Sequence, residues 1–270
     1  MSPPRIVVQL EVDTGVAELA ADALWRAEPS AVLEVELGDG RVRLTADVVD
    51  PSRVDPAWHP VLLLVDDDSY LDAWRTWAVP WRAGRRTVLQ PAWVPREDAP
   101  TGDDLVVVLD PGRAFGSGSH ESTRLSVAAL EDVVVPGQRV LDVGCGSGVL
   151  AIVACLLGAA DALGIDVEPQ AVAATEANAA ANGVAGRVQV AMVPLAEVPG
   201  EFDLVIANIG GRVLFDLAPE LVAHARPGGC LVLSGIVDDQ VDALVAALAG
   251  CVERSRASES GWSAVVLERA

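Results

Sequence analysis

Val140-Leu141-Asp142-Val143-Gly144-Cys145-Gly146-Ser147-Gly148 is an apolar run closed by alternating glycines, and a second apolar segment, Val149 to Ala160, follows it directly. The branched residues over 138–143 predict a strand, the glycines a sharp turn, and 149–158 a helix. A strand that turns on glycine into a helix is where an open α/β sheet places its ligand crevice, since glycine lets the backbone come close to a bound molecule. The next predicted strand, 161–166, closes on Asp166, which is placed to accept hydrogen bonds from a ribose. Asp166 also suits the N-cap of a helix opening at Glu168-Pro169, and both jobs can coexist. The apolar segment stops at Asp161, too short to cross a bilayer, so it reads as a buried helix.

A dinucleotide site would show the same two features. Its fingerprint, however, needs Gly or Ala three residues after the second glycine, and counted from Gly146 that position is Val149. The pattern is instead Asp-x-Gly-x-Gly-x-Gly with Asp142 in front. This resembles the first motif of class I S-adenosylmethionine-dependent methyltransferases. The resemblance implies that the loop passes the methionine and ribose portion of the cofactor while the acid holds the adenosine hydroxyls. A tight turn with no ligand is the plain alternative, and the coupled acid weighs against it. Cys145 and Cys155 read as small packing residues.

Outward from the loop, strands and helices alternate: strand 105–109, helix 121–132, strand 138–143, helix 149–158, strand 161–166, helix 168–182, strands 187–192 and 202–208, helix 212–225, strand 229–235, helix 238–249, and closing strands near 251–256 and 262–268. Repeated βα units predict a mostly parallel sheet with helices on both faces. Ahead of this lies a β-α-β-β pattern: strand 5–12, helix 15–27, and strands 31–37 and 41–49 joined at Gly38-Asp39-Gly40, a strong hairpin signal. The expectation is a small α+β ferredoxin-like domain over 1–60, a Trp-rich linker or helix over 61–100, and an α/β, Rossmann-like domain over 101–270. Five of the seven tryptophans lie between Trp58 and Trp93. Trp74, Trp77 and Trp81 follow helical spacing, which favours packing over a substrate groove. Asp66-Asp67-Asp68 reads as a solvated helix start.

Composition removes several functions. The chain has 270 residues and a net charge of −20, which argues against direct binding to nucleic acid or anionic membrane and makes a basic partner the electrostatic complement. All 19 basic side chains are arginine, so Schiff-base chemistry, a lysine general base and a Walker-type phosphate loop are excluded. The four cysteines lack metal or disulfide spacing and suit a reduced cytoplasmic setting, and three scattered histidines make an imidazole metal site improbable. The amino terminus does not read as a signal peptide.

Three further segments narrow the reading: Asp110-Pro111-Gly112-Arg113-Ala114-Phe115-Gly116-Ser117-Gly118-Ser119-His120-Glu121-Ser122-Thr123, Asp203-Leu204-Val205-Ile206-Ala207-Asn208-Ile209, and Leu217-Ala218-Pro219-Glu220-Leu221 with Arg226-Pro227-Gly228-Gly229. With the glycine loop they resemble the ribosomal protein L11 methyltransferase family, the PrmA type. Ser117 and Ser119 stand where that family usually has threonine, and Gly210-Gly211 where a bulkier residue commonly follows Asn-Ile. The resemblance implies a class I methyltransferase fold, S-adenosylmethionine as cofactor, and transfer of methyl groups to amino groups of a basic ribosomal protein. It also implies cofactor contacts at Phe115, Gly116, Thr123, Gly144, Gly146, Asp166 and Asn208. The amino-terminal module would recognise the substrate.

Asn208 carries the chemistry in this reading, since an amide carbonyl near the methyl group would accept a hydrogen bond from the incoming amine and aim its lone pair. The plain alternative is a turn residue ending a strand. His120 suits a loop histidine bonded to backbone better than a general base, and no residue is assigned to acid-base work. Other readings are the same cofactor with a different amine acceptor, a nucleotide-binding regulatory module without catalysis, and a dehydrogenase. The last lacks a second nucleotide-binding half.

Overall fold

Side chains alternate across the central strands so that each face of one sheet is apolar, and each face has its own helices. The computed structural model describes residues 5–25, 27, 32–38, 40–48, 50–65, 78–95, 102, 104–112, 116 and 118–270. The chain forms two compact units, Met1–Trp77 and Ala78–Ala270.

In the first unit, strands β1 (Arg5–Asp13), β2 (Val32–Glu36), β3 (Arg41–Asp47) and β4 (Val61–Val65) form a sheet of order β2-β3-β1-β4. Every neighbouring pair is antiparallel. Helix α1 (Ala17–Trp25) joins β1 to β2, and Val8, Leu10, Ala20, Leu24, Val42 and Leu44 make the core. Between β3 and β4 there are two single 3₁₀ turns, Pro51–Arg53 and Pro56–Trp58, each started by an aspartate that accepts a backbone N–H two residues on. Proline at the first position of each turn favours this local geometry. The expected first boundary at residue 60 therefore moves: Val61–Val65 is the fourth strand of this sheet and not linker. The expected second boundary at 100 also moves, since β5 (Trp81–Arg82), β6 (Thr87–Pro91) and β7 (Leu105–Leu109) form a three-stranded sheet within the second unit. Trp81 lies on a strand and so breaks the expected helical row. Trp74, Trp77 and Asp66-Asp67-Asp68 fall outside the described residues.

The second unit is built on seven strands in the order β10-β9-β8-β11-β12-β14-β13. They are β8 (Arg139–Val143), β9 (Asp161–Ile165), β10 (Val188–Ala191), β11 (Phe202–Asn208), β12 (Ala225–Val237), β13 (Cys251–Glu259) and β14 (Trp262–Arg269). All pairings are parallel except those of β14, which runs antiparallel between β12 and β13. Helices α2 (Glu121–Val133), α3 (Val149–Leu157) and α4 (Pro169–Ala181) pack on the face bearing Val140, Leu204, Ile206 and Val232. Helices α5 (Gly211–His224) and α6 (Val241–Ala247) pack on the face bearing Leu141, Val205, Ala207 and Leu231. Residues 149–155 of α3 are all buried, as an all-apolar helix requires. The chain order reverses at β8, whose neighbours are β9 and β11. A crevice at the carboxyl ends of β8 and β11 is therefore the ligand position that topology assigns to such a sheet.

Candidate active site

The residues singled out in the sequence, where described, gather along that carboxyl edge. Gly144 and Gly146 follow β8, with φ of 72° and 53°, conformations that disfavour any side chain. A Cβ on Gly144 would also overlap Ile209 Cγ2, so the turn after β8 and the turn after β11 touch here. Gly144 N–H donates to Ile165 O (2.8 Å) and Gly146 N–H to Asp166 Oδ2 (2.9 Å), while Asp166 Oδ1 accepts from Glu168 N–H (3.0 Å). Asp166 thus braces the glycine loop against the next helix entry, two residues ahead of the N-cap position itself, which is Glu168. Each carboxylate oxygen keeps a lone pair beyond these bonds.

Beneath the loop, Asp142 is fully buried and accepts the Ala151 N–H at the start of α3 (3.0 Å). Burial pushes its carboxyl up to about 7, against the pull of the Ala151 amide and helped by the charge of Asp166. Burial likewise raises the thiol of Cys145, and pushes that of Cys155 up to about 11, which leaves both as packing groups.

At the end of β11, Asn208 Nδ2 donates to Thr123 Oγ1 (3.3 Å) in the first turn of α2, and Thr123 is 1% exposed. Asn208 Oδ1 is buried with no hydrogen-bond partner among the described residues. An unpaired amide oxygen out of water costs on the order of 1–3 kcal/mol, so its persistence fits a group waiting for a donor. Gly116 lies beside the glycine loop: its carbonyl accepts from Ser147 Oγ (2.7 Å), and a Cβ there would come within 2.9 Å of that oxygen. Phe115 lies outside the described residues.

His120 caps α2. Its Nδ1 accepts from Ser122 N–H (3.2 Å) and lies 2.7 Å from Ser122 Oγ, so the expected backbone-bonded histidine is what the geometry shows. Burial lowers its pKa, keeping the ring neutral at neutral pH. Its ring meets Trp262 edge-on, centroids 4.8 Å apart. Arg124, bonded to Ser119 O, pairs with Glu259 (2.6 Å) and Glu121 (3.3 Å) and lies 5.9 Å from the Trp81 ring centroid. The β13–β14 turn is thereby fastened beside α2. Nothing in the spacing of Trp262 marks it in the sequence as a neighbour of His120.

Two apolar side chains at the same edge were also missed. Val167, just after Asp166, is 77% exposed, and Met192, just after β10, is 57% exposed. Large apolar groups left in water beside a crevice suit a flat aromatic ligand. Their sequence signal was a hydrophobic residue placed just beyond a strand's carboxyl end.

The model of the family described as ribosomal protein L11 methyltransferase (PrmA) matches residues 42–270. A relative from Pelotomaculum thermopropionicum named ribosomal protein L11 methyltransferase is 44% identical over 205 residues, covering 74% of this chain and 66% of its own length. One of the same name from Symbiobacterium thermophilum is 39% identical over 238 residues, covering 87% and 74%. A crystal structure of a ribosomal protein L11 methylase from Lactobacillus delbrueckii subsp. bulgaricus superposes with a TM-score of 0.66 at 34% identity, covering 71% of this chain and 99% of that one.

Proposed function

The chain belongs to the ribosomal protein L11 methyltransferase family, and from that premise we propose that it transfers methyl groups from S-adenosylmethionine to amino groups, lysine side chains or an amino-terminal amine, of a large-subunit ribosomal protein. The observation that carries the reading is the partnerless Asn208 Oδ1, buried on the carboxyl edge of a sheet whose topology puts a ligand there. The residues present fit the cofactor. Glycine backbone at Gly144 and Gly146 leaves room for a close approach, Asp166 has lone pairs to spare for a ribose diol, and Val167 and Met192 offer apolar surface to a purine. When bound, that cofactor supplies an electrophilic methyl group on a sulfonium, so the hard chemistry is its own.

The chain's task is then position and desolvation. Asn208 is held by Thr123 so that its free oxygen accepts an N–H of the incoming amine, which aims the nitrogen lone pair. A lysine amine has an unperturbed pKa of about 10.4, and a dry pocket favours the neutral form that attacks. The acceptor's own proton is lost to water on docking, consistent with the absence of an assigned base.

The net charge of −20 supports a basic, lysine-bearing partner drawn in by steering. The amino-terminal unit is the proposed recognition module. No helix among the described residues is long and apolar enough to cross a membrane, and a ribosomal substrate implies work in the cytoplasm. The test is intact-mass analysis of a lysine-bearing large-subunit protein L11 incubated with this protein and S-adenosylmethionine. Additions in steps of one methyl group are expected, and their absence would contradict the proposed acceptor.

A further inference from the structure

Helix α4 is Ala-rich, yet its polar Asn178 and its C-cap, Asn182, reach a chain segment far away in sequence. Asn182 Oδ1 accepts the Val108 N–H (2.8 Å) and its Nδ2 donates to Val108 O (2.7 Å). Asn178 repeats the pattern: Oδ1 accepts the Asp110 N–H (2.9 Å) and Nδ2 donates to Asp110 O (3.0 Å). Four residues along a helix advance about 6 Å and two along a strand about 6.6 Å. Asparagines at i and i+4 therefore match Val108 in β7 and Asp110 just past its end, and their carboxamides serve that edge as a neighbouring strand would.

The two rungs differ in one respect. Asn182 Nδ2 has its other bond to Asn178 O (2.8 Å), within its own helix end. Asn178 Nδ2 has its other bond to Ser147 O in the glycine loop (2.9 Å), and Asn178 is only 2% exposed. A single buried carboxamide thus joins the start of the Asp110-Pro111-Gly112 segment to the glycine loop. Ser147 makes a second tie between them through Gly116 O.

Resting on the cofactor reading above, we infer that Asn178 is a positioning residue for the S-adenosylmethionine site. It sets the spacing of the two loops that would enclose the cofactor, and Asn182 serves β7 alone. The carboxamide is suited to this because it spends two donors and one acceptor on three backbone groups at once; aspartate in its place would keep the acceptor and lose both donors.

The test is calorimetric binding of S-adenosylhomocysteine, with thermal melting, for the unaltered chain and for Asn178→Ala and Asn182→Ala. Both variants are expected to melt earlier and to lose amide-exchange protection in β7 without ligand. Asn178→Ala should weaken binding by at least about tenfold, the scale on which outer-shell supports act, and Asn182→Ala by less than about twofold, the scatter of an uninvolved site. Equal weakening in both, or unchanged binding in Asn178→Ala, would overturn the inference while leaving the cofactor reading intact. No binding by the unaltered chain would overturn the cofactor reading and the inference with it. Should Asn178→Ala fail to fold, Ser147→Ala severs the parallel tie; weakened binding there supports the inference and unchanged binding overturns it.

Discussion

The two ends of the crevice are built on opposite principles. On the β8–β9 side, the glycine loop and Asp166 are tied together by bonds within the chain: Gly146 to Asp166, Asp166 to Glu168, Gly144 to Ile165. On the β11 side, Asn208 has one amide atom fixed by Thr123 and the other buried without a partner. The first region is complete as folded and needs nothing to hold its shape. The second keeps an acceptor unmet among the described residues, at the sheet edge where topology puts a ligand that could supply the donor. In the proposed function, this difference corresponds to binding on one side and orientation of the acceptor on the other.

Asn208→Ala should cut the methyl-transfer turnover number by roughly 10²–10³, the cost of deleting one preorganised polar group at a reacting centre. Removing an unpaired buried acceptor relieves a folding penalty that offsets the lost bond to buried Thr123, so its melting temperature should stay close to the parent's. A variant that melts early and turns over normally would erase the distinction between the sides. Gly144→Ala probes the seam, where the loop meets Ile209. A left-handed φ of 72° and the overlap together predict a stability loss of about 1–3 kcal/mol, measured by denaturant titration. A neutral result would mean that the two turns are not packed as described.

Asp142 offers a subtler probe of the bonded side. Its carboxyl loses its proton near 4 in the unfolded chain and about 7 when folded. The folded state therefore binds more protons across that window, and stability falls as pH rises through it. Asp142→Asn keeps an oxygen for the Ala151 N–H but does not titrate. The variant should gain stability relative to the parent between pH 5 and about 8, read as a flatter dependence of melting temperature on pH. Parallel curves would show that Asp142 does not titrate there.

Much of this was legible in the sequence because it rests on backbone constraints that only certain residues meet. The glycines of 144–148 announce left-handed turns, the βα alternation announces the sheet, and Asp166 and Asn208 stand at strand ends where composition changes abruptly. What escaped depends on tertiary partners. Val61–Val65 is an apolar strand flanked by prolines and acids that read as linker, and β6 ends in proline, a residue that argues against a strand until it is seen to be the last residue, beyond the pairing with β5. Asn178 sits in, and Asn182 caps, an Ala-rich helix whose polar positions look solvent-facing. Their strand partner lies 68 and 74 residues away, beyond the reach of local pattern. The pairing of His120 with Trp262 is hidden for the same reason.

The division of labour across the crevice is tested most directly by crossing two variants with two readouts. The dissociation constant for S-adenosylhomocysteine and the single-turnover methyl-transfer rate at saturating S-adenosylmethionine would be measured for Asp166→Ala and Asn208→Ala. The account predicts that Asp166→Ala weakens binding by about 10- to 100-fold, the worth of hydrogen bonds to a charged group, while its saturated rate stays within a few-fold of the parent. It predicts the reverse for Asn208→Ala, with binding nearly unchanged and the rate lost. Both variants failing in the same readout, or Asn208→Ala transferring methyl groups at the parent rate, would contradict it.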